Sequence, residues 1–217
     1  MRDTLHVVID IETLGNRPGC QIRTLGAQAV CFDSQEGFHV CGLPSLGDPF
    51  FYQGGFYRRV RSKGNMELDA LQWWTKQGCK VWREALVYIE HMPIAEAMAE
   101  LSASVVLLQN DCGLKKVAWW GNGNEFDQAC IEAALARTGH KPPWEYWESH
   151  NLRTLCKFVP VRRKHRRILR HHAGYDANHE ALRLADALNW INDQNRQGNP
   201  ITGSNAEKAA EMPAEYV

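Results

Sequence analysis

The chain has 217 residues, 44% hydrophobic and 23% charged, with 25 basic side chains balanced by 25 acidic ones. These values exclude a disordered chain, a collagen-like repeat and a small disulfide scaffold, and zero net charge argues against a generic polyanion binder. At roughly 150 residues per domain, the length fits one domain with an extension.

Leu5 to Ile11 (Leu-His-Val-Val-Ile-Asp-Ile) reads as a strand from its β-branched content. A turn at Gly15–Gly19 leads to a second strand over Leu25–Phe32. The cluster Asp33-Ser34-Gln35-Glu36-Gly37 is a turn, and a third strand begins at Phe38–Cys41. Three strands joined by short turns predict an antiparallel meander. Residues 42–65 are rich in Gly and Pro and read as loop with one short strand. Met66 to Gln77 is helical in composition. Val81, Ala85, Tyr88, Ile89 and Met92 fit a helix face, and so do Ile94, Ala97, Met98, Leu101, Val105 and Leu108, with Pro93 at the start. Val117 to Trp120 is a short buried strand. Phe126, Cys130, Ile131, Ala134 and Leu135 make another helix face, ended by Gly139 and Pro142-Pro143. A basic loop precedes the last helix, whose face is Ala177, Ala181, Leu184, Ala185, Leu188 and Ile191. This order predicts an α/β fold with a mixed sheet, residues 1–192 as a single domain and 193–217 as a polar, disordered tail.

The seven cysteines include no C-x-x-C pair, so the spacing predicts free thiols in a reducing cytoplasm and no structural zinc site. No apolar run approaches the roughly 18 residues of a membrane span. Asp10 breaks the N-terminal apolar stretch, so no signal peptide is expected. Residues 153–170 carry eight basic side chains and no acid. That patch is either solvated loop charge or a surface that holds phosphates without reading sequence.

Asp10 and Glu12 stand at i and i+2, on one face of a strand. They are either solvated turn residues beyond a strand ending at Ile9, or two hard oxygen ligands for a divalent cation. Asp127 and Asp176 each open a predicted helix, where an acid also answers the helix dipole. His171 precedes Asp176 in His-His-Ala-Gly-Tyr-Asp and is a candidate general base, with His172 as its rival.

Together the four acids and the histidine resemble the DEDD exonuclease superfamily, which contains the proofreading exonucleases and RNase T. Asp10-Ile11-Glu12-Thr13 is similar to its first motif and Asn122-Gly123-Asn124-Glu125-Phe126-Asp127 to its second. His171 with Asp176 resembles the third motif in its histidine form, DEDDh. Ile9 to Gly15, Leu71-Gln72-Trp73-Trp74-Thr75-Lys76-Gln77, Trp120 to Gly123 and Leu152-Arg153-Thr154 further resemble the phage exonuclease A (DexA) group and related small bacterial 3′–5′ exoribonucleases. Asn151 departs from the acid expected just before Leu152.

The resemblance covers about residues 5–190. It implies an RNase H-like fold, two divalent ions (Mg²⁺ or Mn²⁺) on Asp10, Glu12, Asp127 and Asp176, His171 as general base, and trimming of a single strand from its free 3′ end with nucleoside monophosphates released. The phage group tips the expected substrate slightly toward DNA. A same-fold exoribonuclease or oligonucleotide trimmer is the alternative, and a catalytically silent nucleic-acid-binding module is the rival of another class. Relatives are often dimers, so a homodimer is a further expectation. Thr13, Leu14 and Asn124 are expected beside the substrate. Of Trp73 and Trp74, about 100° apart on a helix, one would pack while an exposed one would stack on a terminal base next to Gln77. Arg153, Arg162, Arg163, Arg166 and Arg167 are expected on the phosphates.

Overall fold

The computed structural model describes residues 1–43, 54–78, 83, 87, 91–160, 165 and 169–198. Among the described residues, seven strands form one mixed sheet: β1 (Thr4–Thr13), β2 (Ile22–Asp33), β3 (Gly37–Cys41), β4 (Phe56–Arg61), β5 (Met92–Pro93), β6 (Lys116–Gly121) and β7 (Ser149–Asn151). Their order is β5-β4-β2-β1-β6-β7, with β3 beside the far half of β2. The helices are α1 (Leu68–Thr75), α2 (Ile94–Asp111), α3 (Asp127–Ala136), α4 (Leu152–Phe158) and α5 (Ala173–Arg196). The expected meander is present: β2 runs antiparallel to both β1 and β3, and also to β4. Strands β6 and β7 continue the sheet in parallel with β1. This is the mixed α/β architecture of an RNase H-like fold.

The alternation of β1 divides the core. Leu5, Val7, Ile9 and Ile11 face α2 and α3, against Ala97, Leu101, Ile131 and Leu135. Val8 faces the other way, with Trp120 and Phe38, against Leu152 of α4 and Ala181, Leu184 and Leu188 of α5. Each such side chain, fully buried, contributes roughly 1.5–3 kcal/mol. Helix α5 runs antiparallel to β1. Arg2 donates to Asn192 Oδ1 at 2.7 Å, while the Asp176 end of the helix meets Asp10 and Glu12.

Several expectations shift. Met92 lies in β5, not on a helix face, because the residue before a proline favours extended backbone; its proposed companions Val81, Ala85, Tyr88 and Ile89 lie outside the described residues. The start of the basic segment is helix α4, not loop, and is capped by Asn151, whose Oδ1 accepts from the Thr154 N–H at 2.9 Å. Helix α5 runs to Arg196, past the expected boundary at Asn192, because Ile191 and Asn192 are still buried against the domain.

Candidate active site

Asp10 and Glu12 sit on the α5 face of β1, both partly buried. Glu12 lies at a break in the β1–β2 register, where the strand can re-aim its side chain. Across β2, Gly26 pairs with Asp10. A Cβ on Gly26 would lie 2.2 Å from the backbone of Ala173, so the start of α5 presses directly onto the strand beside Asp10. That close approach brings in Asp176, which is 7% exposed. Its Oδ2 accepts the backbone N–H of His171 at 2.7 Å. His171 has φ +61°, the left-handed region that costs a non-glycine residue about 1 kcal/mol or more. The bond to Asp176 helps hold that turn. Donor atoms of Glu12, His171 and Asp176 all lie within 4.8 Å of one another.

Asp127 opens α3 and is 7% exposed. Gly121 ends β6 so closely that a Cβ there would be 3.2 Å from Asp127 Oδ2. The Asn122–Phe126 turn can therefore fold over the strand end. All four acids and His171 line one open cavity of about 390 Å³, together with Asn122, Arg153 and Glu180.

The electrostatics of this cavity are unbalanced. Burial pushes Asp10 well above the usual carboxylate range, and the charges of Glu180, Glu12, Asp127 and Asp176 push it further. Glu12 rises for the same reasons. Asp127 rises to about 7 through burial, opposed by the Arg153 guanidinium and by the Ile11 N–H. Like charges crowded into a partly dry cavity favour protonation unless a cation joins them. Asn122 Oδ1 is buried with no hydrogen-bond partner among the described residues and lines the same cavity. A set of hard oxygen donors with excess negative charge fits divalent cations such as Mg²⁺ or Mn²⁺.

The model of the Rv2179c-like 3′–5′ exoribonuclease domain matches residues 5–188. The chain belongs to this family. Membership places it among the 3′–5′ exonucleases, with nucleic acid as substrate. Among curated proteins, none matches the chain. Among the described residues, no helix is long and apolar enough to cross a membrane.

The other residues expected at the exonuclease site divide. Trp74 is 2% exposed, packs on Leu14, and donates its indole N–H to the Thr13 carbonyl at 2.8 Å. Leu14 is 3% exposed, and the Thr13 hydroxyl donates to the Gly15 carbonyl at 2.6 Å. Leu14 and Trp74 thus pack together, behind the end of β1. Trp73 is 40% exposed, and its ring meets the His171 ring edge to face at 4.6 Å. Gln77 donates to the Trp73 carbonyl. Asn124 donates to Ser149 at 2.8 Å, tying the turn before Asp127 to β7. Asn151, where an acid was expected, donates its amide to Glu125; a carboxylate there would repel that neighbour. Arg162, Arg163, Arg166 and Arg167 lie outside the described residues. His172, the rival base, is held between Tyr57 at 4.5 Å and Tyr175 at 4.8 Å, while His171 lines the cavity.

Glu180 and Gly26 escaped the sequence reading. Glu180 is 2% exposed, one helical turn beyond Asp176. Its i+4 spacing from Asp176 was the available signal. For Gly26 it was a glycine inside an apolar strand.

Proposed function

We propose that this exonuclease is a DEDDh enzyme that hydrolyses the terminal phosphodiester at the 3′ end of single-stranded RNA and releases nucleoside monophosphates. The observation that carries this reading is the convergence of Asp10, Glu12, Asp127, Asp176 and His171 on one open cavity. The family description favours RNA over the slight DNA preference expected from the phage-group resemblance.

Asp10, Glu12, Asp127 and Asp176 would hold two divalent ions. Such ions neutralise the scissile phosphate and make water easier to deprotonate. The residues do the rest. The acids would set where those ions, and so the phosphate, sit. Arg153, beside Asp127, meets non-bridging phosphate oxygens. His171 accepts the proton of the attacking water on an imidazole nitrogen, acting as general base. Trp73 leaves one face of its ring to the terminal base, a contact worth about 1–3 kcal/mol. Burial of Leu14 and Trp74 behind β1 makes the floor under that nucleotide rigid.

The test uses 5′-labelled single-stranded RNA and matching DNA with Mg²⁺, with EDTA and Asp10→Ala as controls. A descending ladder on RNA, abolished by both controls, is expected. A faster ladder on DNA would overturn the substrate assignment. Intact strands with tight binding, in Mg²⁺ and in Mn²⁺, would mean a silent binding module.

A further inference from the structure

Helix α1 ties the end of β1 to the turn that carries His171. At the start of the helix, the Glu67 N–H donates to the Leu14 carbonyl at 2.8 Å. Near its end, the Trp74 indole N–H donates to the Thr13 carbonyl at 2.8 Å. These two carbonyls directly follow Glu12 in the chain. The helix is therefore held at both ends by the strand that carries Asp10 and Glu12. Trp74 is buried against Leu14, which fixes the side of α1 that faces the strand.

The same helix meets the His171 segment at two points. Leu169, two residues before His171, packs against the Leu14–Trp74 pair together with Leu71. The Trp73 ring meets the His171 ring at 4.6 Å, with the two planes 88° apart. Trp73 also stands at 81° to Trp74, with ring centroids 5.0 Å apart. Both are edge-to-face arrangements, which aromatic quadrupoles favour. The backbone of Trp73 is secured as well: its carbonyl accepts the Lys76 N–H at 3.0 Å and the Gln77 amide at 3.2 Å. On the other side, the left-handed backbone of His171 and its N–H bond to Asp176 fix where the side chain starts. They leave the side-chain torsions to be set by what surrounds the ring.

We propose that Trp73 is a positioning residue for His171: its ring sets the orientation of the imidazole, and α1 thereby holds that imidazole at a fixed place relative to Glu12. This rests on the reading of His171 as general base. A base must come within about 2.6–3.2 Å of the proton donor. A misplacement of about 1 Å can cost about 10²-fold in rate. Trp73 then acts twice, on the terminal base through stacking and on the chemical step through His171. The first role appears in KM and the second in kcat.

The test measures kcat and KM on 5′-labelled single-stranded RNA with Mg²⁺ for Trp73→Ala, Trp73→Phe, His171→Ala and the double variant Trp73→Ala/His171→Ala. Trp73 is exposed and Trp74 keeps α1 docked, so the variants retain the fold. Trp73→Ala should lower kcat about 10- to 100-fold and raise KM. Trp73→Phe, which keeps a ring beside His171, should recover most of the lost kcat. In the His171→Ala background, Trp73→Ala should lower kcat by less than about twofold, because there is no imidazole left to position. A second readout needs no turnover. In protein isotopically labelled at the histidine rings, the His171 ring resonances, assigned by their loss in His171→Ala, should move in Trp73→Ala. A rise in KM with kcat unchanged would make Trp73 a stacking residue only and overturn the proposal. So would equal losses of kcat in the parent and His171→Ala backgrounds, or His171 resonances that stay in place. Unchanged turnover in His171→Ala is a different failure: it would remove His171 as the base, and the proposal with it.

Discussion

One face of β1 ends in two different kinds of polar site. Near its start, His6 is 3% exposed and accepts the Trp120 indole N–H at 3.1 Å. Near its end, on the same face, stand Asp10 and Glu12. Helix α5 covers both because it runs antiparallel to the strand. At the His6 end it contributes Leu184 and Leu188, and its Asn189 hydrogen-bonds the backbone of Phe38 at 2.7 Å in both directions. At the other end it contributes Asp176 and Glu180. Strand and helix are matched in polarity along their whole length. Where neutral groups meet, the buried imidazole of His6 accepts one hydrogen bond at Nδ1 and its charge is suppressed. Where acids meet, the charge is relieved only by protons or by a cation.

The sharpest way to break this contrast is to remove an acid. Asp10→Ala should lower exonuclease turnover about 10³-fold or more, measured as initial rate on labelled RNA. In EDTA its melting temperature should hold or rise, because one of five mutually repelling carboxylates is gone. A loss of stability in EDTA would mean that Asp10 is held by partners within the protein, as His6 Nδ1 is held by Trp120. The next largest effect is expected at Gly26→Ala. The added methyl would press on the Ala173 backbone from 2.2 Å and push the start of α5 off the strand. Overpacking of this kind costs about 1–3 kcal/mol. Activity should fall far more than stability, since Asp176 and His171 move with that turn. Equal losses by chemical unfolding and by rate would make Gly26 a packing residue only.

The acid end of this contrast was legible in the sequence because its residues sit at fixed spacings from turns. Asp10 and Glu12 are two apart on a strand, and His171 and Asp176 share one helix start. The meander was legible from Val8, Ile9 and Ala29-Val30 between turn clusters. Glu180 carried only the weak signal of lying one turn beyond Asp176, because a lone acid on an amphipathic helix looks solvated until the docking direction of α5 is known. The two-residue strand β5 and the three-residue β7 are too short to carry a periodic signal. Trp73 and Trp74 were separable only as one packed and one open. Which one packs depends on the Thr13 carbonyl that receives the Trp74 indole.

His6 offers a test of the closed end. Burial depresses it from an ordinary 6.5 to about 4. Between those values the unfolded chain binds more protons than the folded one, so stability is full above about pH 6.5 and declines as the pH falls toward 4. The contribution is on the order of 3 kcal/mol. Urea unfolding at pH 7 and pH 4.5 should show it as a difference between the parent protein and His6→Gln, which keeps an acceptor for Trp120 but does not titrate. The same pH dependence in both proteins would remove His6 from the acid transition.

The open end should respond to pH with the opposite sign. Asp127 is raised to about 7 by burial, and Asp10 and Glu12 lie well above their ordinary values. Without metal, the folded state keeps protons that the unfolded carboxylates have already released. Stability is therefore lost as the pH rises from about 4 through these raised values. Divalent cations compete with those protons, so Mg²⁺ should restore more stability at pH 8 than at pH 5.5, about 1–3 kcal/mol at saturating concentration. Melting curves with Mg²⁺ and with EDTA at both pH values measure this directly. Asp127→Asn should flatten the difference and leave the His6 transition untouched. If Mg²⁺ stabilised the protein equally at both pH values, the acids would already be balanced by the protein itself. The two ends of β1 would then be the same kind of site.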